Sequence, residues 1–427
     1  MILTLYRRIR SSSFIKNTSI LIGGVSLAHF VPLIAYPILS RLYGPDEFGL
    51  LTTLTSITAL LGITMSLKYE NSILITINSK YAAELIKAIL IISLLLLGIS
   101  ELLILFFSTD ISLLLKAPAI KTWLWICPLC AFLGVIISCY NEWCIKHAHF
   151  KSLSINKIVG GGASPIGKII FAFSKSSGLF LGELFGQVVT GGFCIFNFFK
   201  TGKEYFKKTL SRNLLYLLKR YSDCPKYVLP ATLLNKFGQE IPVFLIMAYF
   251  SSAELGYYSM ASMFLVIPTR VIGKAINDVF RQKANELVEK GGNCNRLYIK
   301  IILSLLSFSL ICFTFLFVIS PFLFKLILGE EWITSGYYCR IICFGSALNF
   351  ITDFGSALYF IREKMNLFFI WQILYFLLTS LSMIIGLYLF ETMSLTLCCL
   401  VLGRSIAYIL NGVITYSLSK APKKDFC

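Results

Sequence analysis

The side chains best suited to chemistry in this sequence are charged and amide groups that interrupt long apolar stretches. Lys236 and Glu240 stand four residues apart, so a helix places them on one face, where they can form an ion pair. Asn235 and Gln239 flank them. Because a charge inside a bilayer is costly, such groups normally face a partner or a polar cavity. We interpret this stripe as cavity lining; a structural ion pair that locks two helices is the alternative.

Two further polar stripes follow in the C-terminal half. Arg270 and Lys274 share a helical face and are expected to line the same cavity, although long basic side chains can also extend to the membrane surface. Arg404 and Asn411 form the other stripe, and Arg404 lies too near the middle of its apolar stretch to reach the surface. Asp353 is an acidic candidate in another stretch.

The N-terminal half carries fewer such groups. Lys168 and Glu183 occupy consecutive apolar stretches, and we expect them to pair. His29 stands roughly where Lys236 stands in the second half, and an imidazole there could titrate near neutral pH; a structural role is the alternative. Glycines spaced by four residues surround Glu183, which predicts close packing of two helices. They are Gly178, Gly182 and Gly186.

Among these candidates the cations outnumber the anions. The predicted substrate-binding cations are Lys168, Lys236, Arg270, Lys274 and Arg404. The predicted polar or ion-coupling residues are His29, Glu183, Asn235, Gln239, Glu240, Asp353 and Asn411. Lysine and arginine suit phosphate, and arginine can bind it with two parallel hydrogen bonds. The candidates therefore predict a cationic cavity for an anionic substrate.

No recognisable catalytic or metal-binding set accompanies these residues. Cys127 and Cys130 have the spacing of a redox pair, but they lie in an apolar stretch without a cationic neighbour to stabilise a thiolate. The three histidines do not follow a metal-ligand pattern. Glycine-rich phosphate loops and Ser-His-Asp patterns are also missing from the sequence. We therefore expect neither enzyme activity nor a metal or other cofactor.

The elements that must position these residues are membrane-spanning helices. Of 427 residues, 57% are hydrophobic and only 14% are charged, whereas a soluble protein would carry more charge. Apolar blocks of about 20 residues recur, and each can cross ~30 Å of hydrocarbon. The sequence predicts an all-α polytopic membrane protein with about 12 transmembrane helices. The predicted spans are 17–40, 50–67, 83–107, 121–140, 157–174, 178–199, 227–250, 255–277, 299–320, 336–360, 366–389 and 393–416.

The distribution of lysine and arginine predicts how these spans are oriented. The net charge is +18, but the basic residues concentrate in alternate loops, which positive-inside bias explains better than nucleic-acid binding. This bias predicts an even number of spans with both termini in the cytoplasm. Residues 206–226 are predicted to form a basic cytoplasmic linker. The linker would separate an N-terminal lobe, 1–205 with spans 1–6, from a C-terminal lobe, 227–427 with spans 7–12.

A short motif indicates that the two lobes are related halves. Gly44 and Pro45 interrupt a helix, so spans 1 and 2 are predicted to form a hairpin with its tip there. The tip sequence Glu47-Phe48-Gly49 returns as Glu254-Leu255-Gly256 after span 7. Both tips fall on the predicted outside. Repeated lobes with a substrate site between them are common in transporters.

Four segments carry a resemblance to a known family: Pro37–Gly49, Leu67–Glu70, Leu233–Pro242 and Glu254–Tyr258. They resemble the Wzx-type flippases of polysaccharide biosynthesis, in the multidrug/oligosaccharidyl-lipid/polysaccharide exporter superfamily. The resemblance implies two six-helix lobes around a central cavity. It implies alternating access that carries O-antigen or capsule oligosaccharide on undecaprenyl pyrophosphate across the bacterial inner membrane. The implied partners are this substrate, membrane lipid, H⁺ or Na⁺ as counter-ion, a polysaccharide polymerase and a chain-length regulator.

Two other functions stay open at this point. A cation-coupled multidrug antiporter of the same superfamily would favour an acidic cavity, whereas the candidates here are mainly basic. A membrane-embedded polysaccharide polymerase or ligase would need a large outer loop with catalytic side chains. The sequence contains no obvious loop of that kind.

Overall fold

The computed structural model describes residues 13–174, 177–207, 214–289 and 292–420. Throughout these ranges the regular structure is helical, without strands. Twelve helices of 20 residues or more, named α1 to α12, follow one another along the described chain. They are α1 Ser13–Leu42, α2 Pro45–Ser66, α3 Ser79–Leu114, α4 Ile126–Lys146, α5 Phe150–Ile170, α6 Ser177–Lys207, α7 Leu229–Tyr249, α8 Ser252–Glu289, α9 Asn295–Leu328, α10 Ile333–Thr352, α11 Met365–Leu389 and α12 Met393–Lys420. The predicted all-α protein with about 12 long helices is confirmed.

Eight segments of the described ranges are candidate membrane spans. They are long and apolar enough to cross a membrane, and they overlap α2, α3, α4, α6 and α9 to α12. Candidate polar residues lie on these helices and on the other long helices alike. Glu183 is on α6 and Arg404 on α12, whereas Lys168 is on α5 and Lys236 on α7.

The turn between α1 and α2 is built from residues that stop one helix and start the next. Pro45 begins α2, where its fixed φ fits and its missing N–H is not needed. Asp46 and Glu47 follow in the first turn, where carboxylates interact favourably with the helix dipole. Tyr43 donates a hydrogen bond from its hydroxyl to the carbonyl oxygen of Lys168, 2.7 Å away. The predicted helix break at Gly44 and Pro45 is present, and Tyr43 beside it is anchored to α5, but α1 packs mainly on α5 and α2 on α4, so the two helices do not form the predicted side-by-side hairpin.

The contacts divide the chain into two compact units. Unit 1 is Met1–Leu233 and unit 2 is Leu234–Cys427. Unit 1 contains α1 to α6, a short helix at Leu214–Arg220 and a π-helical turn at Cys224–Val228. Unit 2 contains most of α7 together with α8 to α12.

Helix packing in unit 1 depends on glycine. A Cβ atom added to Gly182 of α6 would lie 2.3 Å from the backbone nitrogen of Lys168, and one on Gly161 of α5 would lie 2.3 Å from the carbonyl oxygen of Ala28. Real Cβ atoms do not approach other heavy atoms so closely. The backbones of α5 and α6 therefore touch, as the spacing of glycines around Glu183 predicts.

The same turn recurs at matching places in the two units. Ala148 lies between α4 and α5 with a φ of 53°, and Glu363 lies just before α11 with a φ of 55°. In both turns the next residue's N–H donates to a carbonyl oxygen five residues back, at 2.8 Å. A left-handed backbone is uncommon for residues other than glycine. The matched pair therefore supports the internal repeat that the hairpin motif predicts.

Candidate functional site

The helices α5 and α6 hold the buried ion pair of unit 1. The Nζ atom of Lys168 lies 2.8 Å from Oε2 of Glu183. Ser164 donates to the same oxygen at 2.7 Å, and Gln187 donates to the other oxygen at 3.4 Å. The expected pair is therefore present. The ammonium of Lys168 neutralises the Glu183 carboxylate, which also accepts hydrogen bonds from the neutral side chains of Ser164 and Gln187.

A cavity of about 340 Å³ lies between α2, α4 and α6 of unit 1. The charged and amide side chains of its lining are Lys68, Glu70, Glu183 and Gln187. Lys168 does not belong to the lining. The Glu183 carboxylate of the buried pair therefore lines the cavity, while Lys168 neutralises its charge without lining the cavity itself.

The turn that follows α2 brings a second carboxylate to this cavity. Leu67 and Lys68 both have left-handed backbones, with φ of 48° and 60°, and lead into the 3-10 turn Tyr69–Ser72. The Nζ atom of Lys68 lies 3.0 Å from Oε1 of Glu70. Glu70 is 6% exposed, and its Oε2 is buried without a hydrogen-bond partner in the described chain. Sequence reasoning did not assign Glu70 to a site, because a charged loop after a span gives no local sign of burial.

In unit 2 the predicted polar stripe of α7 is linked to α11. The Nζ atom of Lys236 lies 2.5 Å from Oε1 of Glu240. Gln239 donates to Asn235 at 2.8 Å, and Asn235 donates to Gln372 of α11 at 2.5 Å. The ion pair thus lies within one helix, and the amides connect two. Gln372 is 2% exposed, and the sequence analysis missed it because a single amide in an apolar helix forms no pattern.

Arg404 of α12 lies beside this stripe. One terminal nitrogen donates to the carbonyl oxygen of Gln239 at 3.4 Å, and the other donates to the hydroxyl of Tyr258 at 3.5 Å. Both contacts are long, and Nε is buried without a partner in the described chain. Tyr375 and Tyr408 lie within electrostatic reach of the guanidinium, with ring centroids 5.8 Å apart. The described residues therefore give Arg404 no carboxylate partner and leave much of its hydrogen-bonding capacity unused.

Asn411, also on α12, is engaged in packing. It is 1% exposed. Its oxygen accepts a hydrogen bond from the hydroxyl of Tyr359 at 2.9 Å, and its nitrogen donates to Ser356 at 3.4 Å. These bonds tie α12 to the segment that follows α10.

The other candidates do not belong to these clusters, or their side chains lie outside the described part of the structure. Asp353 is exposed at the start of the 3-10 turn after α10, and Lys274 is exposed on α8. His29 and Arg270 belong to α1 and α8 by their backbones, but their side chains lie outside the described part of the structure. Over the described ranges, no three His, Cys, Asp or Glu side chains are grouped to hold a metal ion.

The two units therefore differ in the charge that their clusters present. In unit 1, Glu70 and Glu183 are each paired with a lysine. In unit 2, Glu240 is paired with Lys236, and Arg404 adds a positive charge without a carboxylate in the described chain. A negatively charged ligand is thus better matched by the cluster of unit 2.

The fold is that of known membrane transporters. The structure titled lipid II flippase MurJ, inward closed conformation, aligns with a TM-score of 0.73 and 12% identity, covering 92% of this chain and 87% of that chain. An inward-facing multidrug resistance MATE family transporter of the MOP superfamily gives 0.66 and 17%, covering 92% of each chain. A MOP superfamily transporter from Pyrococcus furiosus gives 0.61 and 16%, covering 95% of this chain and 97% of that one. At these identities the likeness establishes the fold.

The family is established by a sequence match instead. No curated protein matches the chain. The family model described as polysaccharide biosynthesis protein matches residues 38–337. That range contains Glu70, Glu183 and Lys236, whereas Arg404 lies beyond it. Because the match covers more than half of the sequence, the chain belongs to the polysaccharide biosynthesis protein family.

Proposed function

We propose that the chain is a flippase for lipid-linked oligosaccharides. It would move units carried on undecaprenyl pyrophosphate from the cytoplasmic to the periplasmic leaflet of the bacterial inner membrane, with both chain termini in the cytoplasm. Membership of the polysaccharide biosynthesis family supports the sugar part of the substrate. The MurJ-like fold supports movement of a lipid-linked substrate.

Arg404 is the observation that carries the proposal. A guanidinium in a membrane-spanning helix normally pairs with a carboxylate, because its burial is otherwise costly. Arg404 has no such partner in the described chain and makes only two long hydrogen bonds. Its planar donor groups match the oxygens of a phosphate, with which they can form two parallel bonds. A pyrophosphate would therefore supply the missing negative charge.

Lys236 is proposed as a second contact for the substrate. Its side chain remains 27% exposed although its ammonium bonds to Glu240. An ammonium has three donors, so Lys236 can keep Glu240 and still reach a phosphate oxygen. Arg270 and Lys274 on α8 extend the set of proposed cations. Lys168 contributes indirectly, because it cancels the charge of Glu183.

Transport would follow from a change in which side of the membrane this cluster faces. The pyrophosphate and sugars bind to the protein, and the polyprenyl chain stays in the lipid. Glu183, Glu240 and Asp353 are the proposed groups for coupling to H⁺ or Na⁺, and the first two already form ion pairs with lysines. A competing cation could release either lysine from its partner.

The same fold also serves multidrug transporters. A site for cationic drugs would need carboxylates free of cations, whereas the carboxylates of the clusters described above, Glu70, Glu183 and Glu240, each have a lysine within 3.0 Å. A polymerase or ligase would need a catalytic set in an outer loop. The flippase therefore fits the charges of these clusters best.

Complementation of a deletion strain tests the proposal. Arg404→Ala should reduce surface polysaccharide by roughly tenfold or more, because loss of a charged contact costs about 2 kcal/mol or more. Lipid-linked units should accumulate in the cytoplasmic leaflet. Arg404→Lys should restore transport only in part, since an ammonium cannot form the paired bonds. The measurements are the amount of surface polysaccharide and the leaflet distribution of its lipid-linked precursor.

Arg296→Ala provides the matched control. Arg296 is exposed in the first turn of α9, so its removal changes the same charge without touching the site. Normal transport is expected for this variant. Normal polysaccharide with altered drug tolerance in Arg404→Ala would contradict the flippase proposal and favour the multidrug transporter.

A further inference from the structure

The cavity of unit 1 contains an acceptor that lacks its donor. Glu70 lines the cavity, is 6% exposed and leaves Oε2 without a hydrogen-bond partner in the described chain. A buried carboxylate oxygen without a donor is costly, often by more than a neutral group would be. Its other oxygen already bonds to Lys68 at 3.0 Å. The site is therefore complete only when a ligand or solvent supplies a donor to Oε2.

The backbone around Glu70 is held in an uncommon conformation. Leu67 and Lys68 are consecutive left-handed residues, neither of them glycine, and each such conformation costs about 1–3 kcal/mol. Strain of this kind persists where the surroundings fix it, and it is concentrated at ligand sites. Here it places Lys68 and Glu70 together at one end of the cavity.

The opposite side of this turn is fixed to the segment that leads toward unit 2. The hydroxyl of Tyr69 donates to the carbonyl oxygen of Leu218 at 3.0 Å, and burial raises the pKa of Tyr69, so the phenol stays a donor. Ser72 lies 3.0 Å from the sulfur of Cys224. Residues 69 and 72 thus bond outward, while residues 68 and 70 face the cavity. These contacts keep the charged pair in place.

The balance of charge limits what the cavity can bind. Its carboxylates, Glu70 and Glu183, are compensated by Lys68 and Lys168. A metal cation at Glu70 would be repelled by the ammonium 3.0 Å from the same carboxylate. An anion would meet two carboxylates. Purely apolar ligands would leave Oε2 without a donor.

A neutral ligand with hydroxyl groups meets all these conditions. A hydroxyl can donate to Glu70 and accept from Lys68 at the same time. Further polar lining is available from Ser66, Ser138 and Gln187. The volume of about 340 Å³ lies at the lower end of typical small-molecule sites. A site of this size suits a small part of an oligosaccharide.

We propose that the Lys68–Glu70 turn is a sugar-binding subsite in the cavity of unit 1. This rests on the proposed flippase function and adds a contact for the sugar to it. The carboxylate of Glu70 and the ammonium of Lys68 bind sugar hydroxyls, a role separate from the phosphate contacts proposed for Arg404 and Lys236. The subsite makes affinity depend on the oligosaccharide as well as on its carrier.

Two lipid probes separate the two roles. One is the lipid-linked oligosaccharide extracted from the strain that encodes the chain, and the other is undecaprenyl pyrophosphate without sugar. Binding of each to the purified full-length protein is measured in nanodiscs. Glu70→Gln should weaken binding of the oligosaccharide-bearing probe by roughly tenfold or more, as expected for loss of a charged hydrogen bond. Binding of the sugar-free probe should change less than about twofold.

Three variants make the outcome specific. Glu330→Gln changes the same charge on an exposed side chain and should leave both affinities unchanged. Tyr69→Phe removes the bond to Leu218 while keeping both cavity groups, so it reports any effect of loosening the turn. Lys68→Gln tests the same subsite through the other partner, should Glu70→Gln fail to fold. It should reproduce the selective loss.

The possible results distinguish this subsite from the flippase proposal itself. Selective loss of the oligosaccharide-bearing probe supports the subsite. If Glu70→Gln weakens binding of both probes equally or of neither, the subsite is overturned and the flippase proposal stands. If the unaltered protein binds neither probe, the flippase proposal fails and the subsite fails with it.

Discussion

At the scale of single residues, a buried lysine–glutamate ion pair joins α5 and α6 of unit 1. Lys168 and Glu183 are 8% and 20% exposed and 2.8 Å apart. Burial of either charge alone would be severely unfavourable, because it would lose water without gaining a counter-charge. The bonds from Ser164 and Gln187 to Glu183 complete the site. Such a pair holds α5 and α6 in one arrangement and keeps the cavity lining of unit 1 close to neutral.

Removal of Lys168 should therefore destabilise unit 1. Lys168→Ala leaves the Glu183 carboxylate without its ammonium, and we expect a loss of about 3 kcal/mol in stability. The double variant Lys168→Met/Glu183→Gln should recover most of this loss, since no buried charge remains. Thermal unfolding of the purified variants in one detergent measures both effects.

The exposed pair Lys325–Glu330 supplies the control. Its atoms are 2.7 Å apart, but the two side chains are 51% and 79% exposed. Solvent-exposed pairs contribute little to stability, so Lys325→Ala should produce no measurable change in the midpoint. Equal midpoints for Lys168→Ala and Lys325→Ala would show that the buried pair has no structural role.

At the scale of helices, packing depends on where a backbone can approach another. Glycines on α6 allow α5 to lie against it, and Gly336 on α10 similarly faces Pro321 of α9, where a Cβ would lie 2.4 Å from the proline Cα. In membranes, small residues at helix contacts permit the close van der Waals packing that holds helices together. Lys168 can therefore reach Glu183 only because Gly182, which has no side chain, lets the backbones of α5 and α6 come close together.

Gly182→Ala and Gly192→Ala compare two positions on the same helix. The added methyl group at Gly182 would meet the backbone of Lys168, whereas Gly192 has no heavy atom within 4 Å of its Cβ position. Gly182→Ala should force α5 and α6 apart and lose about 3 kcal/mol in stability. Gly192→Ala should be neutral or gain up to about 1 kcal/mol, because alanine favours helix. Matching unfolding temperatures for the two variants would disprove the close contact.

At the scale of the whole molecule, two units of related design carry different clusters. Both units contain a hairpin motif and the same left-handed turn. Unit 1 encloses a polar cavity with paired charges, and unit 2 presents Arg404 among tyrosines. The repeat thus supplies a common scaffold, on which side chains have diverged. This difference between the units is the reason why we propose a sugar subsite in unit 1 and phosphate contacts in unit 2.

The orientation of the whole chain can be tested with reporter fusions. Positive-inside bias predicts that the α3–α4 turn at Lys116 faces the periplasm and the α2–α3 turn at Asn78 faces the cytoplasm. Alkaline phosphatase, which folds in the periplasm, should be active when fused after Lys116 and inactive when fused after Asn78. A fluorescent protein fused after Cys427 should fluoresce. The reverse pattern of activities would invert the proposed direction of transport.

The sequence by itself determined the class of protein and the approximate limits of its helices. Each span depends on the apolar character of about 20 consecutive residues, which is a local property. The pair Lys236–Glu240 was predictable for the same reason, since helical spacing alone brings the two side chains together. The Lys168–Glu183 pair was predictable because consecutive antiparallel helices usually pack side by side.

The tertiary structure decided which polar groups share a site. Asn235 meets Gln372, 137 residues away, and Arg404 meets the carbonyl oxygen of Gln239, 165 residues away. No local pattern encodes such contacts, because they depend on how several helices pack around one another. Burial of Glu70 was likewise decided by packing, since its loop resembles an exposed cytoplasmic turn in the sequence. The role of a charged residue can be inferred only when its burial and its bonding partners are known, and both depend on the folded chain.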